Sequence, residues 1–168
     1  MSDVVIRDSS PADAAALAAI WLETTRLYAQ AEPERFQVAR EEGLVEWMRA
    51  HLGAPRPASK LDVVAERAGT VAGYLVAWVR DPVLDAPFQL VRDIGRPRLE
   101  VQAIGVAPRA FRTGVGTALM RHAEHWGRER GAEICTLDTS LDSPMAVPFY
   151  EKRLGYRRAS VIFWKKLT

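Results

Sequence analysis

The sequence predicts an α/β (α+β) fold, a mixed β-sheet flanked by helices, within one domain spanning residues 1–168. Three observations carry this prediction. Segments with a helical apolar period alternate with short apolar runs of strand character. The runs 61–67 and 70–79 flank Ala68-Gly69, which calls for an antiparallel hairpin. Residues 98–106, about 115–130 and 133–139 then read as strand, helix and strand, a crossover unit whose strands are parallel and right-handed.

Residues 4–7, Val-Val-Ile-Arg, read as a first strand. Ser10 and Pro11 follow as a helix cap and first helical residue. Ala14, Leu17, Ala18, Trp21, Thr25 and Tyr28 recur at helical spacing and give one buried face. Pro33 marks a second helix start, and Phe36, Gly43, Leu44, Trp47, Met48 and Leu52 carry the pattern to about residue 51. The segment 53–59 contains two prolines and is a loop. After the hairpin, 81–97 holds three prolines and no period. It reads either as a wall of an acceptor site or as a surface insertion without a role. Residues 98–106 form the central strand. Val115, Ala118, Leu119, His122 and Trp126 form the buried stripe of the next helix, which Gly131 stops. Ser143 caps a short helix with Pro144 at its first position, Gly155-Tyr156 ends it, and 158–167 is a last strand. The expected order is β-α-α-β-β-β-α-β-α-β.

Composition narrows the function. A 48% hydrophobic and 26% charged chain is ordinary for a globular protein. No apolar run approaches the ~18 residues of a membrane span, and the N-terminus lacks a basic region followed by an apolar segment. A cytoplasmic location without membrane association is the expectation. A net charge of +2 argues against nucleic acid as a partner, while leaving room for a local basic patch facing an anionic cofactor. Cys135 is the only cysteine and lies in an apolar run, which suits a buried structural thiol better than a nucleophile.

The most informative stretch runs from Val106 to Leu119, Val-Ala-Pro-Arg-Ala-Phe-Arg-Thr-Gly-Val-Gly-Thr-Ala-Leu. A strand ends, a turn rich in Gly and Arg follows, and a helix begins. The first N–H groups of a helix lack internal partners and carry partial positive charge. Gly114 and Gly116 let a phosphate approach the main chain, and Arg109 and Arg112 add full charges. A bare strand-to-helix turn would have the same glycines. No Lys-Ser or Lys-Thr follows Gly116, and the third glycine of a dinucleotide fingerprint is missing, so those two phosphate loops are set aside.

This stretch resembles the acetyl-CoA-binding motif of the GNAT superfamily of N-acetyltransferases, Gln/Arg-x-x-Gly-x-Gly/Ala after a strand ending in Val-x-Pro. Val106, Pro108, Gly114, Gly116, Ala118 and Leu119 fall in the family's places. Phe111 holds the position of the leading Gln/Arg, and Arg112 follows one residue later. A second resemblance lies downstream: Ala146-x-x-Phe149-Tyr150 and then Gly155-Tyr156 match the family's Ala-x-x-Phe-Tyr-x-x-x-Gly-Phe/Tyr segment, with Ser143 where Asn is frequent. This chain has one residue more between Tyr150 and Gly155, so a local bulge is expected at the helix end. The element order matches the GNAT fold along nearly the whole chain.

The resemblance implies direct attack of a primary amine, on a small molecule or peptide, on the thioester of acetyl-CoA. It implies a cofactor site at Ile104, Gly105, Val106, Arg109, Arg112, Thr113, Gly114, Val115, Gly116 and Thr117, with Ser143 and Phe149 from the second motif. The backbone near Gly105 and Val106 would stabilise the oxyanion, and the pantetheine arm would pair with the strand. The amine must lose a proton, and the departing thiolate benefits from one. Glu100 stands six residues before Val106, where several family members carry a glutamate. It is the candidate base, sharing a face with Gln102 and Ile104 by the two-residue period and raised in pKa by a half-dry cleft. An outward strand residue, or one that merely recognises a cation, would read the same way, and a water chain could replace it. Tyr150 matches the family's tyrosine near the sulfur and is the candidate acid. Like Phe149, it would also serve as a core aromatic. His122 and His125 stand three apart with no third ligand at a suitable spacing, so no metal is expected. A rival reading is a module that holds acyl-CoA as a sensor and transfers nothing, suggested by Phe111. The apolar run 161–164 allows a homodimer through C-terminal strands, by analogy with relatives.

Overall fold

Five strands build the sheet, in the spatial order β1-β2-β3-β4-β5. They are β1 (Val4–Asp8), β2 (Lys60–Arg67), β3 (Thr70–Arg80), β4 (Arg98–Val106) and β5 (Ile134–Thr136). The computed structural model describes residues 4–141 and 143–167. β1 to β4 pair antiparallel, and β5 joins β4 in parallel. The hairpin turns at Ala68 and Gly69, both with positive φ, and the crossover between β4 and β5 is the expected one. A helix is needed there, because parallel neighbours cannot be joined by a tight turn.

Helices cover both faces. α1 (Ala14–Ala31) and α2 (Leu44–Gly53) pack on one. Leu17, Ile20, Leu44 and Met48 meet Val64, Tyr74 and Ala107 there, in one buried cluster. On the other face lies α3 (Val115–Glu129), with Val115, Leu119, Met120 and Ala123 fully buried. Gly127 lets α3 approach β4 closely: a Cβ there would stand 3.2 Å from Leu99 Cβ. Gly131, at φ 81°, stops the helix as expected.

The start of α1 is tied to the sheet by charge. Arg7 on β1 donates two hydrogen bonds to the Asp13 carboxylate, at 2.9 and 2.7 Å, and one to Glu66 on β2 at 2.8 Å. Asp13 also accepts from the Ser10 N–H at 2.8 Å, closing the first turn. The Arg7 guanidinium holds the Asp13 carboxyl below the usual carboxylate range.

The helix expected from Pro33 begins only at Leu44. Gly43, at φ 76°, is its cap, and that left-handed residue interrupts any helix running in from Pro33. Residues 36–41 have no regular structure, although Phe36 packs edge-on against Tyr28 with ring centroids 5.1 Å apart. The 81–97 excursion contains two short 3-10 turns, closed by hydrogen bonds such as Val83 N–H to the Ile94 carbonyl at 2.8 Å. Cys135 is half-buried on β5.

The first compact unit ends at Leu137, and a second begins at Asp138. Within the second, Ser143 accepts the Ala146 N–H through its Oγ at 3.1 Å, while the cap position of the helix falls on Met145, two residues later than expected. One helical turn, α4 (Ala146–Pro148), passes into a wider π turn over Phe149–Arg153. That turn accommodates the extra residue between Tyr150 and Gly155, as single-residue insertions in helices commonly are. The last strand expected at 158–167 does not form. These residues are irregular, and Val161, Ile162, Phe163 and Trp164 are exposed. A β-strand exists only through a neighbour's ladder, and among the described residues none pairs with this segment.

Candidate functional site

The site begins where the β4–β5 ladder stops. Pairing runs from Arg98–Ile134 to Glu100–Thr136 and no further. Beyond it, among the described residues, the β5-facing edge of residues 101–106 meets no strand. Unmatched backbone groups there can hydrogen-bond an extended ligand as an added strand would.

β4 leads into a 3-10 turn at Pro108–Ala110 and then into α3. Arg112 (φ 61°) and Gly114 (φ 93°) both take the left-handed conformation that makes this bend. The positive φ at Arg112 is uncommon for a residue with a side chain and implies local strain. Thr113 Oγ1 donates to the Ala110 carbonyl at 2.7 Å and holds the turn. The first α3 hydrogen bond that spans the cap is from Ala118 N–H to the Gly114 carbonyl, at 2.9 Å. The N–H groups of Val115, Gly116 and Thr117 therefore precede the helical ladder, an arrangement that can bind an anion. Val115 is fully buried, and its side chain is part of the core. Arg112 is exposed beside this terminus. Arg109 Nη2 donates to the Val71 carbonyl on β3 at 3.0 Å, a bond that fastens the turn to the hairpin.

Gly105 has a packing reason to be glycine. A Cβ there would overlap Tyr74 Cε1 and stand 2.9 Å from Cζ. Tyr74 is buried under α1, and burial pushes its phenol well above the ordinary value. Gly105 thus faces the α1 side, as does Ala103, while Ile104 between them pairs with Leu75 on the α3 side.

A bulge changes the alternation expected for Glu100. Val76 pairs with Ala103 and Ala77 with Val101, which leaves Gln102 unpaired. Glu100 lies on the α1 side with Gln102 and does not share a face with Ile104. Gln102 Oε1 accepts the Trp78 Nε1–H at 3.0 Å. Nor is Glu100 in a half-dry cleft: its side chain is 39% exposed and 3.3 Å from Arg80 Nη2. Arg80, which follows the hairpin pattern out to the last residue of β3, also stacks its guanidinium over Trp78 at 5.1 Å. Sequence reading missed Arg80. The antiparallel register carried past Val79 would have found it, since it sets Trp78 opposite Glu100.

Tyr150, Phe149 and Ser143 belong to the second unit. Tyr150 is 9% exposed, with the Phe149 ring at 5.1 Å and the Tyr156 ring at 6.0 Å. Its carbonyl accepts the Tyr156 N–H at 2.9 Å across the π turn. On α3, His125 meets Glu129 at 3.3 Å. Burial and His125 hold His122 below its ordinary pKa. Among the described residues no three His, Cys, Asp or Glu side chains group as metal ligands, and no helix is long and apolar enough to cross a membrane.

Comparison with known proteins bears on this geometry. The "Acetyl transferase GW6a" of Oryza sativa subsp. japonica is 41% identical over 51 residues, which is 30% of this chain but only 12% of that protein. A BH1408 tetramutant from Bacillus halodurans superposes with a TM-score of 0.78 at 16% identity, over 97% of this chain and 99% of that one. The aminoglycoside N-acetyltransferase AAC(6')-Iy in complex with CoA gives 0.64 at 18% identity, over 99% and 96%. These two share the fold. The model of the acetyltransferase (GNAT) family matches residues 19–156, which include β4, the Gly114 turn, α3 and the Tyr150 segment. The chain belongs to the acetyltransferase (GNAT) family of enzymes.

Proposed function

We propose that this protein transfers the acetyl group of acetyl-CoA to a primary amine on a small molecule or peptide, in the cytoplasm, with residues 1–168 working as one domain. The observation that carries the reading is the opening of the β4–β5 ladder after Glu100, directly before the anion-binding start of α3. One edge can take the amide-bearing arm of CoA and the other its phosphates. The match of the family model across both units and the CoA named with one structural neighbour support the same donor.

In this mechanism the N–H groups of Val115, Gly116 and Thr117, with Arg112, hold the phosphates. Backbone at Ile104, Gly105 and Val106 receives the arm and polarises the thioester carbonyl. Glu100, or water beside it, takes a proton from the ammonium. The amine nitrogen then attacks the carbonyl carbon, gives up its second proton to water, and the tetrahedral intermediate collapses with cleavage of the C–S bond. Tyr150 gives its proton to the departing sulfur, and Ser143 and Phe149 complete the cofactor side. Glu100's contact with Arg80 is one hydrogen bond that an acceptor can displace.

Isothermal titration of acetyl-CoA into the wild type and a Gly114→Glu variant tests the reading. Binding is expected for the wild type and loss of it for the variant, because a carboxylate would stand where phosphate docks. Saturation at ~100 times Kd should add about 2.7 kcal/mol to stability. No binding to the wild type refutes the proposal. Binding without turnover on any amine favours the acyl-CoA sensor instead.

A further inference from the structure

Beside Glu100, the sheet face carries more cation than the fold uses. Arg80 and Arg98 stand directly opposite each other on β3 and β4. Like charges in that position repel. Glu100 answers Arg80 through a single 3.3 Å contact. Arg98 Nη1 is buried, and among the described residues it has no hydrogen-bond partner. A buried guanidinium N–H left unmatched is costly, and its presence in a fold wants a reason. Further along the same face, Asp62 on β2 is buried and already engaged by Lys60 at 3.0 Å and by the Ser9 hydroxyl at 2.6 Å. Trp78 adds a ring face between Lys60 at 5.7 Å and Arg80 at 5.1 Å.

We propose that Arg80 and Arg98 form a carboxylate subsite, so that the acceptor is an amine that also bears a carboxylate, of the amino-acid kind. This deepens the acetyl-transfer reading and rests on it. A guanidinium fork matches a carboxylate in two parallel hydrogen bonds, and Arg98 has an N–H to give. Glu100 and Arg98 lie two residues apart on one strand face, about 6.6 Å along it, a span that one amino acid bridges with its amine at Glu100. The acceptor's carboxylate would compete for Arg80 and release Glu100 from its ion pair as the amine arrives. A polyamine would bring further positive charge to Lys60, Arg80 and Arg98 and would be disfavoured.

The test uses glycine, leucine and phenylalanine, each beside its α-amide, as acceptors with acetyl-CoA. The corresponding N-acetyl acids and amides are titrated into CoA-saturated protein as a readout free of turnover. The acid form of at least one pair should be preferred by about tenfold or more, the scale of a hydrogen bond to a charged group. Arg98→Gln should erase the preference and Arg98→Lys retain part of it, with CoA binding by both variants reporting an intact fold. Arg80→Gln should weaken the acid in the same direction. Preference for amides or diamines, equal binding within every pair, no acid bound at millimolar concentration, or a preference that survives Arg98→Gln overturns the proposal. If CoA itself fails to bind, the acetyl-transfer reading falls and this subsite with it. If CoA binds and the acids are not preferred, the subsite alone falls.

Discussion

Replacing Gly105 by alanine should unseat Tyr74, and the cost can be worked from the geometry. The added Cβ would overlap Cε1 of the ring and lie 2.9 Å from Cζ and 3.1 Å from Oη. Carbon atoms rest at ~3.5–4.0 Å, so the ring or strand must move by about an ångström. Tyr74 is 5% exposed and sits in the cluster with Leu17, Ile20 and Val64, so it has little room to yield. Overpacking of this kind costs about 1–3 kcal/mol, and the rigid surroundings place it at about 3. In a chain of this size that lowers Tm by roughly 6–12 °C. Urea unfolding followed by circular dichroism, with calorimetry as the two-state check, measures it. The cause is isolated by repeating the change in a Tyr74→Leu background, where Gly105→Ala should cost under about 1 kcal/mol. A coupling of about 2 kcal/mol in the double-mutant cycle is then expected. Additive costs, or a Gly105→Ala protein as stable as the wild type, would refute the close approach as the reason for glycine.

Three further outcomes follow from the site and its frame. Glu100→Gln should lower kcat by about 10²–10⁴ with acetyl-CoA affinity unchanged; an unchanged kcat removes Glu100 as base. Tyr150→Phe should lower kcat over the same range while leaving stability near that of the wild type; full activity removes it from the mechanism. Arg7→Ala should destabilise by about 3 kcal/mol at neutral pH, because Asp13 is left buried without its cation. Asp13 is held below the ordinary carboxylate range, so this stabilisation is complete above that range and is lost as pH falls through the folded-state value. Thermal melts between neutral pH and pH 3 should therefore show the gap between wild type and variant closing on the acid side; a constant gap refutes the assignment.

The frame was legible because its signals are local. The hairpin, the 98–106 strand and the helix after Gly114 each carry their own apolar period and turn residues. The one-residue excess after Tyr150 was readable as a bulge and is met by the π turn at Phe149–Arg153. What failed depended on partners distant in sequence. Residues 158–167 have strand composition, but composition provides no neighbour to pair with. Pro33 looked like a start, while Gly43 decides where α2 begins. Thr113, Gly114 and Gly116 stand together at the turn and the start of α3, since motif and turn are one stretch of chain. Arg109 could not be placed from spacing, because its partner is a carbonyl 38 residues away. The Arg80–Glu100 contact and the solvent around Glu100 are properties of sheet register.

Gln102 is surplus to the ladder. In a regular stretch of the sheet, loss of one codon would turn part of a strand inside out and exchange its core and solvent residues. On β4 the partner strand needs one residue fewer than β4 supplies between Val101 and Ala103. Deleting Gln102 would leave Leu99 against α3, Glu100 opposite Trp78 and Gly105 against Tyr74. Only the Trp78 hydrogen bond and the local kink would go. The centre of the sheet, usually the least forgiving place for a change of length, thus holds a position where a gene can gain or lose a single codon and still encode the same two faces.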